Sequence, residues 1–109
     1  MPPRICWPQE GDQPANAAYV CTALDVGFEL MQVRTGLGRR KLYRDGTIPA
    51  GTLEAVRAEF RDVLCQARGR PGERKRENAQ KVLNRLEAAW LDGGVSRETM
   101  ARFVKKFVQ

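Results

Sequence analysis

Asp12 and Gln13 place a carboxylate and a primary amide side by side, between Gly11 and Pro14. That pairing suits a polyol, because a carboxylate accepts from hydroxyls, often two neighbouring ones, and an amide both donates and accepts. The flanking elements must hold the pair in place. Ile5-Cys6-Trp7 reads as a short apolar strand ended by Pro8, which cannot donate to a central ladder. Pro14 opens a helix whose free N–H groups and positive dipole end favour acceptor oxygens at its N-terminus. The same spacing has a second reading, in which Gln13 is only the N-cap of a surface helix with Pro14 at its first position.

Apolar periodicity supplies the remaining elements. From Pro14, the positions Ala17, Val20, Cys21 and Leu24 recur at helical spacing and predict a helix that stops near Asp25. Val26 to Leu30 predicts a brief strand with Phe28 and Leu30 on one face, and Gly27 permits close backbone approach. Met31 to Gly51 carries Gly36, Gly38, Gly46 and Pro49 among basic residues and reads as an exposed loop, either a tolerated insertion or a flap beside a site. Thr52 caps a helix with the stripe Leu53, Val56, Phe60, Val63 and Leu64, closing near Ala67 before Gly69 and Pro71. A longer helix starts at Pro71 or Gly72, with Ala79, Val82, Leu83, Leu86 and Trp90 on one face, and ends at Gly93-Gly94 through a left-handed residue. Ser96 is expected to cap a last helix carrying Met100, Phe103, Val104, Phe107 and Val108. Trp90 and Phe103 are expected in the core, not as ligand stackers.

The composition bounds the function class. At 109 residues the chain is at most one small domain, and its 42% hydrophobic and 29% charged residues are the composition of a soluble globular chain and not of a disordered one. Cys6, Cys21 and Cys65 are odd in number and widely spaced, and read as reduced, mostly buried thiols of a cytoplasmic protein. No signal peptide or membrane anchor is visible, and no stretch approaches the ~20 apolar residues of a membrane span. The net charge of +6 raises nucleic acid as a partner. The basic residues concentrate in 34–44 and 68–76 with only Tyr43 as an aromatic nearby, a pattern of solvated basic surface more than of a nucleic-acid footprint.

The run from Pro3 to Val20, with Ile5-Cys6-Trp7-Pro8 leading into Asp12-Gln13, resembles the end of the donor-binding signature of family 1 UDP-glycosyltransferases and the helix that follows it. Val26-Gly27-Phe28-Glu29-Leu30 is similar to the short strand after that helix. Gly72 to Ala79, followed by Gly93-Gly94-Val95-Ser96, resembles the last helices of the family with their glycine break. Gln32 to Gly36, Tyr43 to Gly46 and the Gly51-Thr52 turn look more like fungal members than plant ones. The resemblance covers almost the whole chain.

It implies an α/β fold: part of the C-terminal half of a GT-B (Rossmann-like) domain, mostly helical, with short strands near Ile5 and Phe28. Residues 1–109 would form the C-terminal part of a nucleotide-sugar donor-binding domain without its N-terminal acceptor domain. It also implies the transfer of a hexose from a UDP-sugar, a co-substrate and not a cofactor, to a small-molecule hydroxyl acceptor without a required metal. By the same resemblance Asp12 and Gln13 hold the donor sugar's hydroxyls, and Trp7 forms part of the pocket wall or packs in the core. The family's catalytic base is a His in the N-terminal domain, and this chain contains no His, so no catalytic residue is assigned and the chain alone is expected to be inactive. Entry into the family pattern at Met1 suggests a truncated gene model, a fragment or a decayed copy. The competing expectation is a small basic helical module that binds nucleic acid or a protein partner. Two short strands are few for so many helical faces, so the isolated chain is expected to be marginal, sticky or repacked.

Overall fold

The computed structural model of the chain describes residues 3–42 and 44–108; the expectation attached to Tyr43 lies outside them. The chain divides into two compact units, residues 1–79 and 80–109.

The first unit begins with β1 (Arg4–Cys6), which runs through the corner into α1 (Gln13–Ala18), a π turn (Tyr19–Ala23) and β2 (Gly27–Glu29). The two strands pair in parallel, with Arg4 opposite Gly27, Ile5 opposite Phe28 and Cys6 opposite Glu29. A parallel pair needs a crossover, and α1 with its π turn supplies it. Strand and helix therefore stand where the apolar pattern puts them, except that the helix loosens into π geometry over its last turn. Asp25 then takes a left-handed φ of 53°, a conformation that a short polar side chain tolerates better than most, and redirects the chain into β2. Gly27 is required by close packing: a Cβ there would lie 2.9 Å from the Arg4 carbonyl oxygen.

β2 is the centre of the core. Phe28, Leu30 and Val33 are buried together with Val63, and Val56, Phe60 and Ala67 pack against them from α2 (Leu53–Arg68). Thr52 caps α2 as its sequence predicts, its Oγ1 accepting from the Ala55 N–H at 3.1 Å. Leu53 and Leu64, at the margins of the expected stripe, stay exposed. Polar locks complete the unit. Glu59 of α2 accepts from the backbone N–H groups of Met31 and, at 2.8 Å, of Gln32, which fixes the chain as it leaves β2. The Gln32 amide oxygen in turn accepts from Ala50 and Gly51 at 2.8 and 3.2 Å, tying down the far end of the long connection.

The 31–51 connection is thus less exposed than its composition suggests. Among its described residues it holds one 3₁₀ turn (Gly36–Arg39), and Val33, Arg34 and Pro49 are buried. Arg34 and Arg44 both pair with the Glu29 carboxylate at 2.7 Å, so two of the residues read as solvated basic surface are structural. Lys75 is another: it is buried, donates to Asp25 at 2.7 Å and lies 4.8 Å from the Phe28 ring centroid. Arg74 and Asn78 also reach Asp25, which anchors the first half of α3 (Arg70–Trp90) to the turn before β2. Lys75 and Arg74 hold the Asp25 carboxyl below its ordinary pKa, chiefly through the Lys75 hydrogen bond.

In residues 80–109, the end of α3 passes through Gly93, at a φ of 79°, into α4 (Val95–Phe107). The left-handed break falls as expected, but the cap does not: the helix starts at Val95 with Gly94 as N-cap, so Ser96 lies inside the first turn. Trp90 and Phe103, expected in the core, are 52% and 53% exposed, and no described residue from 80 to 108 is buried. Both stripes have helical spacing, but nothing within this unit is broad enough to cover them. Among the described residues no helix is long and apolar enough to cross a membrane.

Candidate functional site

The corner lies immediately beyond the carboxyl end of β1, the edge of a parallel sheet at which open α/β folds place ligands. The chain leaving β2 packs against it. Thr35 donates to the Gln9 carbonyl at 2.8 Å, and the Arg34 side chain is held nearby through Glu29. Both strand ends therefore open onto the same turn.

The structure brings Asp12 and Gln13 together there and corrects the cap. Asp12, not Gln13, is the N-cap residue of α1, and its side chain makes no capping hydrogen bond. Its exposed carboxylate instead accepts from the Asn16 amide at 3.2 Å. Gln13 is the first helical residue, with its amide oxygen accepting from the Gln9 N–H at 2.9 Å, which braces the turn from inside. The Gln13 side-chain oxygen is thus engaged, while a carboxamide keeps two N–H donors of its own. Asn16 was missed in the sequence; the signal was the four-residue spacing from Asp12, which puts the two side chains on one helix face.

Trp7 lies between core and site. Its ring packs on Phe60 with centroids 5.3 Å apart, yet it remains 54% exposed. Trp7, Pro8, Gln13 and Asn16 line a hollow of about 230 Å³, floored by Cys6, Ala17 and Val20. Both roles considered for Trp7 are therefore compatible with one position. Across the corner lies a second hollow of about 450 Å³, in which Gly11, Pro14 and Ala15 face Arg34, Arg40 and Lys41.

The cysteines depart from expectation. Cys65 is exposed, and Cys6 and Cys21 are half-buried. All three are free thiols; burial, followed by the influence of neighbouring Cys6, pushes the Cys21 thiol up to about 12.

No protein-family model matches the chain, and neither does any solved structure. Curated sequences do. The UDP-glycosyltransferase eriJ of Hericium erinaceus is 34% identical over 109 residues, covering 95% of this chain and 22% of that protein. UDP-glycosyltransferases 84A4 and 84A3 of Arabidopsis thaliana are each 30% identical over 106 residues, covering 97% of this chain and 19% of theirs. The chain is similar in sequence to UDP-glycosyltransferases. It spans about a fifth of the length of the curated relatives it matches. The matches cover nearly all of this chain.

Proposed function

We propose that the chain corresponds to the C-terminal donor-binding segment of a UDP-glycosyltransferase of GT-B fold, in which Asp12 and Gln13 hold the hydroxyls of the donor sugar. The whole enzyme would transfer a hexose from a UDP-sugar to a small hydroxylated acceptor. One observation carries the reading: an exposed carboxylate and an amide-lined hollow share one turn at the carboxyl end of a parallel strand, in a chain whose relatives are UDP-glycosyltransferases. Trp7 would wall the hollow, its apolar ring suiting the C–H face of a sugar as the polar pair suits its hydroxyls. With no His in the chain, the proton-accepting group would belong to another part of the enzyme, and residues 1–109 alone would not turn over.

The test is a graft. A complete relative carrying residues 3–30 in place of its own matching segment should retain use of its UDP-sugar. In that chimera Asp12→Ala should lower kcat/KM by roughly ten- to a hundredfold, the equivalent of one or two charge-assisted hydrogen bonds. Glu10→Ala should change it little, and equally small effects of both would reduce the corner to a helix start.

The second hollow favours the alternative in one respect, since Arg34, Arg40 and Lys41 line it together. A basic module meeting nucleic acid there would bind with a steep loss of affinity as salt rises. Tight, sequence-discriminating binding at physiological salt would support that reading over the transferase one.

A further inference from the structure

Cys6 ends β1 and Cys21 sits in the π turn that brings the chain back beside it, with their Sγ atoms 3.8 Å apart. Two sulfurs at that distance are in contact, and a disulfide requires them to close to ~2.05 Å. We propose that Cys6 and Cys21 form a reversible intramolecular disulfide, a modification site that locks the corner between them.

The surroundings permit the closure. A π turn is a local widening of the helix and the least regular part of the crossover, so the element that must shift is the one best able to do so. Each cysteine also lines an opening. Cys6 floors the hollow that contains Trp7 and Gln13, and Cys21 borders a separate hollow of about 340 Å³ beside Phe28 and Lys75. A small oxidant therefore has access to the pair. Burial keeps the Cys21 thiol protonated, so the first attack falls to Cys6.

With a low-molecular-weight disulfide such as oxidised glutathione, the Cys6 sulfur attacks one sulfur and releases one glutathione thiol. Cys21 then attacks the Cys6 sulfur of the mixed disulfide and releases the second. The two protein thiols lose their protons to the two departing thiolates; the protein pair is oxidised by two electrons and the glutathione disulfide is reduced by two. The new bond closes the segment from Cys6 to Cys21, which contains Asp12 and Gln13. Oxidation should therefore slow amide exchange across the corner and raise the thermal midpoint by several degrees, as the unfolded chain loses freedom.

The experiment uses the full chain with Cys65→Ser, which removes the exposed third thiol. After incubation with oxidised glutathione and an acid quench, a protease that cuts after glutamate separates the two cysteines at Glu10, a cut that trypsin cannot make for lack of a basic residue between them. The expected result is one cross-linked pair of peptides containing Cys6 and Cys21, reversed by dithiothreitol and formed at least roughly tenfold faster in the folded chain than in urea. The same chain with Cys21→Ser should instead retain glutathione on Cys6. Glutathione left on both cysteines without a cross-link would overturn the proposal, as would equal cross-linking rates in buffer and urea.

Discussion

Residues 3–79 and 80–108 are built from the same kind of helix but differ in what the helices meet. In the first unit α2 presents Val56, Phe60, Val63 and Ala67 to Phe28 of β2 and to Leu30 and Val33 in the chain that leaves it, and Glu59, Gln32, Lys75 and Asn78 seal the edges with hydrogen bonds to backbone and carboxylate. In the second, Met100, Phe103 and Phe107 recur at equally regular spacing and remain half or more exposed. An amphipathic pattern specifies a helix and the face it would bury; it does not provide the opposing surface. Two short strands suffice for one layer of helix, which is why burial ends where the sheet does.

The sharpest way to break that comparison is to cut into each unit. Leu30→Ala removes the one large side chain that is fully buried among the described residues and should destabilise residues 3–79 by about 2–5 kcal/mol. Phe103→Ala should cost under about 1 kcal/mol, since its ring is half in water already. Urea unfolding of the two variants checks this, and comparable losses would mean that α4 is covered after all.

A smaller effect is expected from the polar locks. Lys75→Met removes the chief partner of Asp25 and should cost about 1–3 kcal/mol near neutral pH. Because the Asp25 pKa is lowered from 3.8 in the folded chain, its contribution is complete above 3.8 and is lost as pH falls through the folded value. The difference between Lys75→Met and the parent should therefore shrink below pH 3.8. A pH-independent difference would assign Lys75 to packing over Phe28 instead.

The smallest effects separate the helix starts. Thr52→Ala should cost about 1 kcal/mol by loss of the hydrogen bond to Ala55, whereas Ser96→Ala, inside the first turn of α4, should stay within ~0.5 kcal/mol. Thermal unfolding of both variants distinguishes a true cap from a neighbouring hydroxyl.

What the sequence showed and what it concealed divide along the same lines. Local signals were legible: the strands near Ile5 and Phe28, the Thr52 cap, the left-handed Gly93 and the turn holding Asp12 and Gln13 all depend on nearest neighbours. Burial in 80–108 was not, because Trp90 and Phe103 have core-like spacing whether or not anything covers them. The long 31–51 connection read as exposed because glycine and arginine are loop residues by composition. Its anchoring by Glu29 and Glu59 is a matter of contacts 5 to 28 residues distant. Within the site, the Asp12–Asn16 bond was available from spacing, while the contact of Cys6 with Cys21 required the parallel crossover to be known.

The role of the corner is tested most directly by separating the sugar from the nucleotide. In the complete relative carrying residues 3–30, the KM for the UDP-sugar and the inhibition constant for UDP can be measured with and without Asp12→Asn, which keeps the side chain's size and removes its charge. If Asp12 holds the donor sugar's hydroxyls, the KM should rise or kcat/KM fall by about tenfold while UDP inhibits as before, because UDP lacks the transferred hexose that the carboxylate would meet. An unchanged kcat/KM, or a loss of UDP affinity equal to that of the UDP-sugar, would contradict the assignment of the donor sugar to this turn.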